Sequence, residues 1–185
     1  MKAFLILLIT GLTLNASSQQ ANFRTYSSVI KLIAYQGSEK YEWENKDNVV
    51  FLNYKTGDLI IRLHNKDFYN PLHPAPADTE TGTKTEDREY IFKGILPIRD
   101  IINQKTNTQK YTVELQLICD ELRLNEPVNF EMTIMRTGNS ANQNYRIFSL
   151  NGILYNDKLN LPLFEGFNNE VELFINFNGY FEGSY

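Results

Sequence analysis

The chain is short of the residues that build most recognisable sites. Its single cysteine, Cys119, excludes an intramolecular disulfide. Two histidines, His64 and His73, fall below the three or four converging ligands that a zinc site needs without help from carboxylates such as Asp67 or Asp78. Basic residues number 18 against 22 acidic ones, a net charge of −4, which leaves no basic stripe to neutralise nucleic-acid phosphates. There is no Gly-x-Ser-x-Gly elbow, no Walker loop and no dinucleotide fingerprint. Asp157 and Glu165 could be paired on paper as acid and base, but lone carboxylates on loops are ordinarily solvated. No cofactor is implied, and the reading is of a protein that is not an enzyme. Beyond the first residues, no apolar run is long enough for a membrane-crossing helix.

Aromatic side chains are abundant, at 13% of 185 residues, with 11 Tyr and 12 Phe. Such rings suit a pleated, half-buried surface. The organising stretch is Val49 to Phe68. Val49 to Tyr54 is β-branched and aromatic, and Lys55-Thr56-Gly57-Asp58 follows as a turn. Gly57 supplies the positive φ that a tight hairpin needs. Beyond it Leu59, Ile61 and Leu63 point one way, Arg62 and His64 the other. The second strand is expected to run on to Asp67-Phe68.

The remaining chain supplies more strands. Ser27 to Gln36 reads as a strand, with a helix as the less favoured reading. Lys40 to Lys46 alternates Tyr41 and Trp43 against Glu42 and Glu44. Residues 69–89 form a long polar loop, with Pro71, Pro74 and Pro76 close together, read as surface loop or as a lid. Tyr90 to Ile95 resumes the sheet. Pro97 turns Leu96 to Ile102 into an edge, a bulge or a short helical turn. Tyr111 to Cys119 has the cleanest period of two, with Cys119 as a small buried hydrophobe. Asn125-Glu126-Pro127 is read as a turn before Val128 to Ile134. Tyr145 to Leu150, Gly152 to Tyr155, Leu159 to Leu163 and a strand built on Val171, Leu173, Ile175 and Phe177 complete nine to eleven strands. Turns every eight to twelve residues favour an all-β single antiparallel barrel, with a two-sheet sandwich as the alternative.

The N-terminus has the form of an export signal: Met1-Lys2, an apolar run from Ala3 to Leu14, and small residues at Ala16-Ser17-Ser18. The expected organisation is a signal peptide at 1–18 and one barrel domain at 19–185, in the periplasm or outside the cell, with no transmembrane segment in the mature chain. Phe51, Leu59, Ile61, Leu63, Phe92, Val113, Leu115, Leu117, Phe130, Met132 and Ile134 lie on apolar phases that could share one interior. In a small barrel these side chains either fill the middle or line an elongated apolar pocket.

From Asn53 onward the chain resembles the YceI-like family in the form found in secreted proteins of Bacteroidetes-type bacteria. The resemblance rests on Thr56-Gly57-Asp58-Leu59-Ile60-Ile61, Lys66-Asp67-Phe68, Phe92-Lys93-Gly94, Tyr111-Thr112-Val113 and the strand Val128 to Ile134. It covers roughly residues 27–178 as a pattern of strands and turns. The family's His-containing segment is replaced by the proline- and threonine-rich loop, where only His73 remains. Its Gly-x-Leu-Thr-x-His-Gly turn is replaced by Asp120 to Glu126, which has neither Gly nor His. The resemblance implies a lipocalin-like antiparallel barrel and a lipid or isoprenoid ligand held inside it. A β-domain with a filled core, acting on another protein through its surface, is the alternative.

Overall fold

The computed structural model describes residues 22–24, 27–72, 87–136, 145–159, 164 and 166–180. The expected signal sequence, most of the proline- and threonine-rich loop and residues 160–163 of the expected Leu159 to Leu163 strand lie outside these. Eleven strands form one sheet: β1 (Asn22–Arg24), β2 (Ser28–Gln36), β3 (Glu39–Asn45), β4 (Val49–Asn53), β5 (Asp58–His64), β6 (Phe68–Tyr69), β7 (Glu89–Ile95), β8 (Thr108–Cys119), β9 (Leu124–Arg136), β10 (Tyr145–Tyr155) and β11 (Glu170–Tyr180). Two short helices, α1 (Ile98–Ile102) and α2 (Asn156–Leu159), interrupt them. The strand order is β1-β4-β5-β7-β8-β9-β10-β11-β2-β3-β6, and every pairing is antiparallel.

This order requires a barrel and excludes two separate sheets. β3 and β4 follow each other in the chain but stand eight places apart in the sheet, as do β5 and β6. Laid flat, eight strand spacings would span about 38 Å. The four peptide steps from Asn45 to Val49, or from His64 to Phe68, reach at most about 14 Å. The sheet must therefore curl until its two ends meet. Asn45 and Asn65, both buried, and half-buried Asn48 hold the chain where it crosses this seam. Asn45 Nδ2 donates to the His64 carbonyl at 3.2 Å, and Asn48 Nδ2 donates to the Asn45 carbonyl at 2.9 Å. Arg88 N donates to Asn65 Oδ1 at 2.7 Å, and Asn65 N to the Arg88 carbonyl at 3.2 Å.

The β4–β5 hairpin forms for local reasons. Asn53 Oδ1 accepts from the backbone N–H groups of Lys55 and Thr56, and Gly57 N donates to the Asn53 carbonyl at 2.7 Å. Gly57 has φ +84°, and its carbonyl accepts from Leu96 N at 2.8 Å. β5 is shorter than its sequence suggests. It stops at His64, and a 3₁₀ turn over Asn65–Asp67 redirects the chain so that β6 pairs with β3. Pro97 opens α1, which tucks Ile98 and Ile101 into the core.

The expected turn at 125–127 is also revised. β9 begins at Leu124, and the turn lies at 120–123, where Arg123 takes a positive φ. Pro127 is tolerated inside a strand because β9 there has a neighbour on one side only. Its pairing with β10 starts at Phe130, while Pro127 sits opposite Gln116 of β8. Similarly, Tyr145 to Tyr155 is one continuous strand, and Leu159 closes a helical turn.

Candidate functional site

The inward phases of the strands converge on one apolar core. Ten of the eleven side chains read from the sequence are buried in it: Leu59, Ile61, Leu63, Phe92, Val113, Leu115, Leu117, Phe130, Met132 and Ile134. Phe51 is not among them. It is half-buried on the outer phase of β4, and Val50 and Leu52 take the inward positions. The hairpin register decides this, because Val50 pairs with Ile61 and Leu52 with Leu59, whereas Phe51 pairs with Ile60. Residues directly opposite share a face.

Sequence reasoning left out the far side of the barrel. Ile30, Leu32 and Ala34 of β2, Trp43 of β3, Phe148, Leu150 and Leu154 of β10, and Val171, Leu173, Ile175 and Phe177 of β11 are all buried inward. The period of two in β11 carried the signal. Phe148 and Phe177 stack across their strands with ring centroids 4.6 Å apart and planes 4° from parallel.

At the end of the barrel where β10 gives way to α2, the core is not quite filled. A cavity of about 30 Å³ is walled by Leu32, Leu63, Phe68, Tyr90, Phe92, Leu117, Leu154, Phe164 and Leu173. Phe164 is the one wall residue that comes from outside the sheet, from the connection between α2 and β11. It is held there by Asn156 Nδ2, which donates to its carbonyl at 3.0 Å. Trp43 and Phe167 pack against the Phe164 ring, with Trp43–Phe164 centroids 6.3 Å apart, and Tyr41 packs against both of them. The Asn168 N–H donates to the Tyr35 carbonyl at 2.7 Å, which ties this connection to β2.

Polar groups are confined to the periphery of this interior. Burial pushes the Tyr90 phenol up to about 12. Burial likewise raises the Cys119 thiol, whose Sγ donates to Glu121 Oε2 at 3.4 Å, a setting that disfavours the reactive thiolate. At the opposite end, Arg146 is 3% exposed beside Arg136, its cross-strand partner. Burial and then the Arg136 charge lower its pKa. His64 does not enter the interior. Its Nδ1 sits 3.1 Å from Asp87 Oδ1, and Lys66 also pairs with Asp87. His73 and Asp78 lie outside the described residues. Among the described residues no three potential metal ligands converge, and no helix is long and apolar enough to cross a membrane.

No protein-family model matches the chain, and no curated protein matches it. Solved structures do match. One is a polyisoprenoid-binding domain from Saccharophagus degradans implicated in plant cell wall breakdown. It superposes with a TM-score of 0.63 at 6% sequence identity, over 88% of this chain and 99% of that one. The two share a fold. At this identity the likeness extends to the barrel and its strand connections, and ligand contacts must be argued from the residues of this chain.

Proposed function

We propose that this protein is a non-enzymatic carrier of a long apolar chain, lipid or isoprenoid in kind, held within the barrel in the manner of the YceI-like family. We further propose that it is exported and works in the periplasm or outside the cell. The observation that carries the reading is the wholly apolar cavity under Phe164, in a barrel whose fold is shared with a polyisoprenoid-binding domain.

The cavity sets the terms. At about 30 Å³ it has the volume of one water molecule or one methylene. A ligand must therefore displace side chains, and Phe164 is the cover. Exposing one buried ring uncovers roughly 200 Å² and costs about 5 kcal/mol at ~25 cal/mol per Å². Each buried CH₂ returns about 0.8 kcal/mol, so some six methylenes only offset the ring. The preferred ligand is thus a chain of ten or more carbons, and small apolar molecules bind poorly.

The test is native mass spectrometry and amide NMR after incubation with geranylgeraniol, a C20 isoprenoid alcohol. Binding should add one ligand mass and shift amides at Leu63, Phe92, Leu117 and Leu173. Leu117→Trp, which fills the cavity, should abolish both effects. A bare mass with unmoved amides would overturn the carrier reading. The small cavity favours a second reading in that event: a filled barrel that serves as a protein-interaction domain and acts through its surface.

A further inference from the structure

The outer wall of the barrel carries a groove of about 650 Å³ that is independent of the interior. It crosses β8 to β11 on the phase opposite the buried side chains. In register, Thr112, Glu131, Asn151 and Phe174 form one row, and Ile153 and Glu172 lie in the next. Gly152 lies between these rows with no room for a larger residue, since a Cβ there would stand 2.8 Å from the Phe130 ring. The apolar part is Ile153, 42% exposed, with half-buried Phe174 beside it.

The charge of this groove is one-sided. Glu126, Glu131 and Glu172 line it, against one amine, Lys158. That ammonium sits 4.9 Å over the Tyr155 ring. Among the described residues none of the three carboxylates has an ion-pair partner. The neighbouring outer face behaves differently. On β2 and β3, Lys31 pairs with Glu42 and Glu44, Lys40 with Glu42, and Lys46 with Glu44.

Glu131 stands on β9 and Glu172 on β11, two strand spacings across and two residues along, about 12 Å apart at the backbone. The spacing is not that of a metal site, since among the described residues no three potential metal ligands converge. It suits an elongated cation. An extended peptide places alternate side chains on one face about 7 Å apart, so basic residues four positions apart, with an apolar residue midway, span the gap. We infer that this groove docks an extended basic peptide segment of a partner protein, with cationic side chains on Glu131 and Glu172 and an apolar side chain between them on Ile153 and Phe174.

The probe is a fluorescein-labelled, acetylated Gly-Lys-Ser-Leu-Ser-Lys-Gly amide, followed by anisotropy and by amide NMR. Binding should shift amides on β9 to β11 and weaken as salt is raised. The double variant Glu131→Gln/Glu172→Gln should lose roughly two- to thirtyfold in affinity, the range of two exposed ion pairs. Both side chains point outward, and an unchanged Tm confirms the fold. Glu42→Gln/Glu44→Gln on the compensated face should bind as the parent does. Three results would overturn the inference: equal binding of a peptide with Gln in place of Lys, undiminished binding to the groove variant, or shifts confined to another face. Binding of neutral cellopentaose in the groove in place of the peptide would overturn it too.

Discussion

Replacing Phe164 by alanine tests the interior most directly. Phe164 is 1% exposed and covers a cavity that already exists, so the walls have little left to collapse onto. A buried Phe→Ala change costs about 3–5 kcal/mol, and poor collapse puts this one near 4. With a urea m-value near 2 kcal/mol per M, the unfolding midpoint should fall by about 2 M. The same substitution removes the cover that a ligand must otherwise displace. Geranylgeraniol should therefore stabilise Phe164→Ala more than the parent, and at a hundred times its Kd by about 2.7 kcal/mol. Urea unfolding with and without the alcohol reads both effects. A midpoint that moves by less than 0.5 M would show that Phe164 is not packed as a cover. A normal loss of stability with no rescue by the alcohol would refute the entry path beneath it.

Three further outcomes are expected. Gly57→Ala should destabilise by roughly 2–4 kcal/mol in urea melts, because φ +84° disfavours a side chain and its Cβ would collide with the Leu96 carbonyl oxygen. Stability should fall as pH rises from about 10 to 12. The unfolded Tyr90 phenol ionises near 10 and the folded one only at about 12, so the unfolded state binds fewer protons in that window. The slope is up to about 1.4 kcal/mol per pH unit for this one group, and Tyr90→Phe should flatten the profile by that amount in melts at pH 9 to 12. N-terminal sequencing of protein recovered from outside the cytoplasm should begin at Gln19; an intact Met1 there would refute the cleavage, and protein found only in the cytoplasm would remove the export proposal.

Much of the fold was legible because a strand advertises itself locally. Period-two alternation needs only the backbone pleat, and β8, β11 and the Gly57 turn could be read from it directly. β4 could not. Val49-Val50-Phe51-Leu52 is apolar on both phases, so alternation is silent, and only the pairing with β5 turns Phe51 outward. Pro127 misled for a related reason. A proline is a turn signal until it is known that one side of its strand has no neighbour.

By itself the sequence determined that this is an antiparallel all-β chain with an apolar inner phase, because those properties are set residue by residue along each strand. Closure was decided by tertiary structure alone. It depends on β3 to β4 and β5 to β6, where a few residues join opposite ends of the strand order, and no periodicity records which ends will meet. Tertiary structure also decided how much of the interior stays empty. That volume is a small difference between a barrel's width and the summed size of side chains from every strand around it, together with Phe164, which arrives from outside the sheet.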